Sequence, residues 1–387
     1  MGTHSYFNYN YGYQEIASDQ TELITVRKLN ELTDQRVSAT LDWQPAAGHG
    51  LRAGVSTEQY ALSFDLDYTS IFEPGVQEAV ASDTYVHSAF VDYELGQSEA
   101  PFSGRLGLRT VQATVLEDIF WEPRLNLSYR FPSGIRLKAN AGINHQFVNQ
   151  LIEFEFNGLG VDNQIWALVD GDAFPALRSV QFAAGVDWRQ KGWFIDLEGY
   201  SRTLQGITSF TPQLVGFDPD EYSQGSGRSF GFDLLLRKQF GNHQTWISYS
   251  LSAAQYAFDE LSDAWIPAFN DQRHRISWTY LWQKDRWSFS LGWNFQSGKP
   301  FTPLESVELD EIEDGDEVDY LAFGELGTLN SARLPAYHRL DLSALYTFGR
   351  KNNRGPTYQL GVSLINVYGR DNLVERRYLD VFYGNEE

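Results

Sequence analysis

The stretch RWSFSLGWNFQSGKPFT, residues 286–302, carries a large apolar side chain at every second position. The apolar members are Trp287, Phe289, Leu291, Trp293 and Phe295, and small or polar residues stand between them. Successive side chains of a β-strand point to opposite faces of a sheet, so this pattern predicts a strand with one apolar and one polar face. A strongly acidic segment, residues 305–319, follows it closely.

The same alternation recurs along nearly the whole chain. It occurs in RVSATLDW (36–43), RLNLSYR (124–130), VQFAAGVDW (180–188), FGFDLLL (230–236), RISWTYLW (275–282) and RLDLSALYTF (339–348). Apolar residues at helical spacing are not sustained anywhere, so the pattern predicts an all-β fold.

Composition excludes several classes of protein. The 387 residues contain no Cys, which removes disulfides, thiolate metal sites and cysteine nucleophiles. A formal net charge of −21 makes nucleic acid a poor electrostatic partner. No apolar run is long enough for a transmembrane helix, and the first residues lack the pattern of a secretion signal. We therefore expect either a cytoplasmic protein or a chain that lacks its natural beginning.

Short and long connections alternate between the predicted strands. Short polar turns fall at residues 46–50, 96–104, 131–134, 189–192, 240–243, 283–286 and 349–356. The longer segments are mostly residues 14–33, 67–82, 148–178, 208–226, 258–270 and 298–333. Short turns on one side and long loops on the other are typical of an antiparallel up-and-down transmembrane β-barrel in the outer membrane, here with about 15 strands.

Aromatic residues beside the short turns indicate which face meets lipid. They belong to the apolar side of their strands and lie at the same strand end: Trp43, Tyr129, Trp188, Trp193, Trp282, Trp287, Phe348 and Tyr358. Indole and phenol rings prefer the headgroup zone of a bilayer, so we interpret these residues as a membrane-interface row. The alternative is a soluble β-sandwich, whose apolar face would pack inward.

The strand count predicts an incomplete barrel. The first strand leads into a long loop and the last full strand, about residues 357–369, follows a short turn, so the two chain ends fall on opposite sides of the membrane. A closed barrel with both ends inside needs an even number of strands. We therefore expect residues 1–387 to be part of a barrel domain that lacks something at both ends.

Several segments together resemble the barrel of TonB-dependent outer-membrane receptors, most closely those of the Bacteroidetes type. In chain order they are residues 122–150, 192–208, 226–241, 270–282 with 293–302, 334–348, and LINVYGRDN at 364–372. The resemblance implies a 22-stranded barrel, filled in the whole protein by a plug domain that the energy-coupling protein TonB contacts. The plug, the signal peptide and the last strand are expected to be absent here. Outer-membrane lipid and lipopolysaccharide are the other partners implied, in a multi-pass outer-membrane location.

The function implied is active uptake of a scarce nutrient, either a siderophore or other metal chelate or an oligomeric nutrient. The alternatives are a passive outer-membrane channel and a barrel that adheres through its loops. No Ser/His/Asp set converges, the seven His residues are scattered, and a haem-receptor motif is absent, so no catalytic residue, metal site or cofactor is predicted.

Polar residues on the inward side of the strands are expected to form the wall of a lumen, with opposite charges on neighbouring strands in pairs. The predicted wall includes Asp196, Glu198, Arg237, Arg273, Arg339 and Asp341. Ligand contact is expected from Asn144 and Gln146 on one strand and from the external loop at residues 165–179. The loop residues singled out are Trp166, Asp170, Asp172 and Arg178.

The acidic segment 305–319 contains nine carboxylates but lacks the ordered ligand spacing of an EF-hand. We interpret it as a solvated external loop whose charges repel one another, with loose divalent-cation binding as the alternative.

Overall fold

The strands of this protein are described by a computed structural model. It describes residues 2–16, 22–70, 76–96, 100–152, 165–210, 222–259, 261–314, 317–349, 356–374, 376 and 382–383. Within these residues there is no helix, and therefore none long and apolar enough to span a membrane.

Strands account for most of the described chain. In order they are β1 (Gly2–Ile16), β2 (Glu22–Ala46), β3 (His49–Ser70), β4 (Val76–Leu95), β5 (Phe102–Ala113), β6 (Phe120–Arg130), β7 (Ile135–Gln146), β8 (Val148–Gln150), β9 (Trp166–Leu168), β10 (Leu177–Gln190), β11 (Trp193–Phe210), β12 (Tyr222–Phe240), β13 (His243–Ala257), β14 (Ile266–Pro267), β15 (His274–Lys284), β16 (Trp287–Gln296), β17 (Pro300–Phe301), β18 (Leu304–Asp314), β19 (Glu317–Leu326), β20 (Ala332–Arg333), β21 (Tyr337–Gly349), β22 (Thr357–Leu364) and β23 (Phe382–Tyr383).

One large antiparallel sheet organises the fold. Its order is β1-β2-β3-β4-β5-β6-β7-β10-β11-β12-β13-β15-β16-β21-β22, so each strand pairs with the next one along the chain apart from small inserted strands. The all-β, antiparallel up-and-down prediction is confirmed, and this path has the expected 15 strands among the described residues. No pairing within those residues joins β1 to β22 and closes the sheet, so the 22-strand count remains a prediction.

The short turns lie where the sequence predicts them. The strand pairs β2–β3, β4–β5, β6–β7, β10–β11, β12–β13 and β15–β16 are joined across the predicted turns, whereas most of residues 349–356 falls outside the described residues. Lys191 and Asp285 adopt left-handed backbone conformations in two of these turns, with φ of 49° and 54°. Tight hairpin turns require such positive φ values.

Two predicted long loops are wrong. Residues 14–33 and 67–82 are largely strand, because β2, β3 and β4 have 25, 22 and 20 residues. A bilayer crossing takes only about 9–11 residues of strand. In the extra length the apolar residues no longer fall on the lipid-facing side: in β3 they include Leu62 and Phe64, which are buried on the opposite face. The alternation that reveals a lipid-facing strand is therefore lost there, although continued pairing satisfies the backbone amides.

The acidic segment is also a hairpin rather than a loop. Strands β18 and β19 pair from Leu304 with Leu326 to Asp314 with Glu317. The register sets most carboxylates opposite an apolar or aromatic position, as in Glu308 with Phe323. Backbone pairing of β18 with β19 therefore takes the place of the solvated loop that the sequence predicted.

The large sheet has one apolar and one polar face, as the alternation predicts. Register pairs Trp278 with Trp293 on the apolar face and Asn294 with Arg339 on the polar face. Of the eight predicted interface aromatics, Trp188 and Trp282 are partly exposed and the other six are exposed. An exposed apolar face opposite a polar face is typical of a transmembrane barrel.

Candidate ligand-binding cavity

A small hairpin covers part of the polar face of the sheet, at the end that is remote from the short turns. Strands β8 and β9 pair with each other, and Val148 and Leu168 pack with Leu62 of β3 in one buried cluster. A second cluster joins Phe147 and Val169, which flank the hairpin, to Val86, Val111 and Ala113 of β4 and β5. Burial of these side chains provides the hydrophobic free energy that holds the hairpin against the sheet.

Asn30 of β2 fixes the hairpin to the sheet. Its side-chain oxygen accepts the Trp166 amide at 2.9 Å, and its side-chain nitrogen donates to the Trp166 carbonyl at 3.4 Å. The same nitrogen also donates to the carbonyl of Ser63 at 3.3 Å. Asn30 is fully buried, so these bonds satisfy a polar group that would otherwise be costly to bury.

A cavity of about 460 Å³ lies between the hairpin and the polar face, and we call it the hairpin cavity. Its volume is within the range of small-molecule sites. Its wall consists of Leu32, Asp34, Arg36, Glu58, Tyr60, Val86, Arg109, His145, Gln146, Phe147, Val148 and Trp166.

One side of the cavity carries an ion pair between β2 and β3. Arg36 Nε lies 3.1 Å from Glu58 Oε1, and the Tyr60 hydroxyl donates to Glu58 Oε2 at 2.6 Å. The carboxylate of Glu58 is thus held by a guanidinium on one oxygen and a phenol on the other, an arrangement that fixes its orientation.

The opposite side is built around Glu122 of β6. Glu122 is 1% exposed; its Oε1 accepts the His145 backbone amide at 2.6 Å, and its Oε2 lies 3.5 Å from Arg109 Nη1. The ring of His145 is also buried, with Nδ1 3.4 Å from Glu122 Oε1 and without a hydrogen-bond partner. His145 lines the cavity, but this nitrogen is directed at the Glu122 carboxylate behind the wall.

Charged pairs continue along the polar face towards the short turns. Arg136 of β7 lies 2.6 Å from Asp187 of β10, and Lys138 lies 2.9 Å from both Asp196 and Glu198 of β11. The first of these pairs bridges neighbouring strands as predicted. Buried carboxylates need such partners, because an unpaired charge in a desolvated site is costly.

A second cavity, of about 340 Å³, lies on the same polar face but beside β16 and β21, farther along the sheet. Its wall includes Asn294 and Gln296 of β16, Tyr337 and Arg339 of β21, and Leu373. Arg339 is held by Asp341 on the same strand, with Nη2 2.8 Å from Oδ2. Asp341 Oδ1 also accepts the backbone amide of Asn366 at 2.9 Å, so it joins β21 to the segment after β22.

Beside this second cavity, Asp271 links the segment between β13 and β15 to the segment between β16 and β21. Its side chain is 1% exposed, and Oδ2 lies 3.1 Å from Arg273 Nε and 2.5 Å from Arg333 Nη2. Oδ1 accepts the backbone amide of Ala254 at 2.9 Å. One carboxylate therefore holds the end of β13, the start of β15 and the strand β20 together.

The predicted ligand residues do not all meet at one place. Gln146 and Trp166 line the hairpin cavity, whereas Asn144 is an exposed residue of β7 outside the cavity wall. Asp170 accepts the amides of Asp172 and Phe174 at 2.8 and 2.9 Å and so shapes a turn. Arg178 donates to Gln205 at 3.1 Å across β10 and β11, away from the cavity wall.

Residues that sequence reasoning missed make up most of the cavity wall. Arg36, Glu58, Tyr60 and Arg109 were not predicted, because the alternation of a strand does not reveal which residues of other strands lie beside the hairpin of β8 and β9. The available signal was the parity of Val37, Leu41 and Trp43, which places Arg36 on the polar face. Within the described residues, no group of three His, Asp or Glu side chains is arranged to hold a metal ion.

The sequence matches a known family over most of its length. Residues 2–367 match the family described as TonB dependent receptor-like, beta-barrel. The chain belongs to this family. TonB-dependent receptor barrels are Gram-negative outer-membrane proteins that span the membrane with strands, and the pattern of faces in this sheet agrees with that location. No curated protein matches the chain.

Solved TonB-dependent receptors and transporters have the same fold. The unliganded ferric citrate transporter FecA is similar with a TM-score of 0.62 and 12% identity, over 99% of this chain and 56% of that one. The ferric yersiniabactin uptake receptor FyuA from Yersinia pestis has a TM-score of 0.63 and 12% identity, over 95% of this chain and 53% of its own. The ferric preacinetobactin receptor BauA from Acinetobacter baumannii has a TM-score of 0.59 and 11% identity, over 99% of this chain and 57% of its own. The chain spans about half the length of these proteins, and at such identities the likeness concerns the fold alone.

Proposed function

We propose that this chain forms the barrel of an outer-membrane receptor that takes up a scarce nutrient by TonB-coupled active transport. The family match over residues 2–367 is the observation that carries the proposal. The nutrient is either a metal chelate or an oligomeric compound, classes that are too large for simple diffusion pores.

The arrangement of the sheet supports this function physically. The exposed apolar face, with Trp43 and Trp287 near the short turns, suits contact with lipid, and lipopolysaccharide would surround the opposite rim. The polar face carries paired charges and would line a water-filled lumen. The hairpin cavity opens on that same face, so a ligand captured there would already be in the transport path.

In the whole protein, we propose a 22-stranded barrel of the Bacteroidetes type with a plug domain inside it. TonB would act on that plug rather than on the strands described above. The polar residues Asp196, Glu198, Arg237, Arg273, Arg339 and Asp341 would then face either the plug or the passing ligand. Ion pairs of Asp196, Glu198, Arg273, Arg339 and Asp341 with nearby charges support a first role in stabilising the wall.

The test is energy-dependent uptake by the full-length parent protein in the outer membrane of a Gram-negative host. Cells are given radiolabelled ferric citrate, ferric hydroxamates or labelled neutral oligosaccharides, with and without a protonophore. The proposal expects at least one compound to accumulate against its gradient, and this accumulation to stop when the proton-motive force is removed.

A host that lacks TonB provides the control. Uptake that continues in that host and merely equilibrates would indicate a passive channel and would overturn the proposal. Binding to the cell surface without any uptake would favour a barrel that adheres through its loops.

A further inference from the structure

The charges of the hairpin cavity are balanced rather than positive. Its wall has two guanidiniums, Arg36 and Arg109, and two carboxylates, Asp34 and Glu58. Arg36 is paired with Glu58, and Arg109 faces Glu122, which lies directly behind the wall. Counting Glu122, three carboxylates oppose two guanidiniums, so the described groups give a net charge of −1 when His145 is neutral.

This balance disfavours an anionic ligand. An anion such as a ferric carboxylate or catecholate chelate needs cations that are free to replace its hydration. Both cavity arginines already have carboxylate partners, and a bound anion would have to compete with Glu58 and Glu122. The chain as a whole, at −21, adds to the unfavourable long-range potential.

The hydrogen-bonding groups instead suit a neutral ligand with many hydroxyls. A hydroxyl both donates and accepts, so it can bind a carboxylate oxygen and a guanidinium N–H that lie side by side, as in the Arg36–Glu58 pair. The Tyr60 hydroxyl and the Arg109 guanidinium add further polar groups to the wall. Gln146 is another polar group on the wall.

The aromatic side chains and the volume of the hairpin cavity also favour a neutral, polyhydroxylated ligand. Tyr60, Phe147 and Trp166 contribute rings or ring edges to the wall, and an aromatic face packs well against the C–H face of a sugar ring. The volume of about 460 Å³ is sufficient for a ligand of a few sugar units, within the ordinary range of small-molecule pockets.

We infer that the hairpin cavity binds a neutral, polyhydroxylated ligand, a short oligosaccharide, in preference to an anionic metal chelate. The inference rests on the proposed function in one respect, since it names the class of nutrient that the receptor would capture. The Arg36–Glu58 pair, held by Tyr60, is the contact that sets this preference.

The experiment measures binding to the purified full-length receptor by isothermal titration. The probes are neutral gluco-, manno-, xylo- and fructo-oligosaccharides on one side and ferric citrate on the other. The unaltered receptor should bind at least one of the neutral oligosaccharides and should bind ferric citrate more weakly.

The variant Glu58→Gln tests the charge argument. It removes one carboxylate and leaves Arg36 without its ionic partner, so oligosaccharide affinity should fall about tenfold while ferric citrate affinity rises. Glu94→Gln is the matched control, because Glu94 also pairs with an arginine, Arg105 at 2.5 Å, but lies outside the cavity wall. This control should leave both affinities unchanged.

Three outcomes would overturn the inference: none of the oligosaccharides binds, ferric citrate binds more tightly, or Glu58→Gln and Glu94→Gln behave alike. If Glu58→Gln does not fold, Tyr60→Phe carries the same test with a smaller change, and equal oligosaccharide binding by that variant and the unaltered receptor counts against the inference. Energised uptake of ferric citrate would leave the proposed function intact and remove only this inference. Oligosaccharide binding followed by uptake without proton-motive force would leave this inference intact and overturn the proposed function.

Discussion

Asp271 offers a sharp test of how the outer connections are held in place. Asp271→Asn keeps the size of the side chain and the oxygen that accepts the Ala254 amide, but it removes the charge that holds Arg273 and Arg333. The new amide group would also direct N–H donors at a guanidinium, which has only donors. We expect the ends of β13, β15 and β20 to separate more often in this variant.

The magnitude follows from the two lost contacts. A charge-assisted hydrogen bond contributes about 1.5–3 kcal/mol when it is well buried. The two arginine side chains are 42% and 33% exposed, so solvent screening reduces each contribution to about 1 kcal/mol. A total near 2 kcal/mol corresponds to about 30-fold more frequent local opening, since about 1.4 kcal/mol is tenfold.

Hydrogen exchange followed by mass spectrometry measures this opening. Peptides that cover residues 250–257 and 330–336 should exchange about 30-fold faster in Asp271→Asn, while peptides from β2 and β3 should be unchanged. Asp263→Asn is the control, because Asp263 is an exposed aspartate in the same connection. Equal exchange in the two variants would refute the role assigned to the buried carboxylate.

Three further variants test the sheet itself. Leu291→Lys, on the apolar face, should cost about 2–4 kcal/mol and reduce the heat-resistant folded band on a gel, whereas Gly292→Lys on the polar face should not; equal losses would argue against the assignment of faces. Gly298→Ala should destabilise the protein by about 1–3 kcal/mol, because a Cβ there would clash with the backbone oxygen of Leu334, whereas Gly292→Ala, with nothing within 4 Å, should be neutral in thermal unfolding. Asp341→Asn should lower the unfolding temperature and leave ligand affinity unchanged, with Asp285→Asn in a short turn as the control; normal heat resistance with lost uptake would contradict this.

Much of the sheet was predictable because a bilayer imposes a simple rule on strands. Wherever one face meets lipid, as at Trp287 and Leu291, every second residue must be apolar, and the turns between such strands are short and polar. The sequence therefore predicts strand direction, turn positions and the 15-strand path. The rule no longer applies once a strand leaves the membrane. For this reason the parts of β2, β3 and β4 that are remote from the short turns were expected to be loops.

The candidate site was less predictable, because it depends on contacts between distant parts of the chain. Gln146 and Trp166 were expected to contact a ligand on composition alone, and they do line the cavity. The Arg36–Glu58 pair depends on a register that alternation does not specify, and the position of Glu122 behind Arg109 depends on the pairing of β5 with β6. Asp170 and Arg178 have local backbone and side-chain partners instead.

The bonds from Asn30 to Trp166 have a consequence for the order of folding. They join residues 136 positions apart, and the hydrophobic cluster beneath them joins Leu62 to Leu168. Contacts of such high sequence separation form late, since the entropy of closing a long loop must first be offset by strand pairing. The hairpin cavity should therefore be the last part of this region to assemble. A barrel can reach its full strand pairing, and resist heat on a gel, before it is able to hold a ligand.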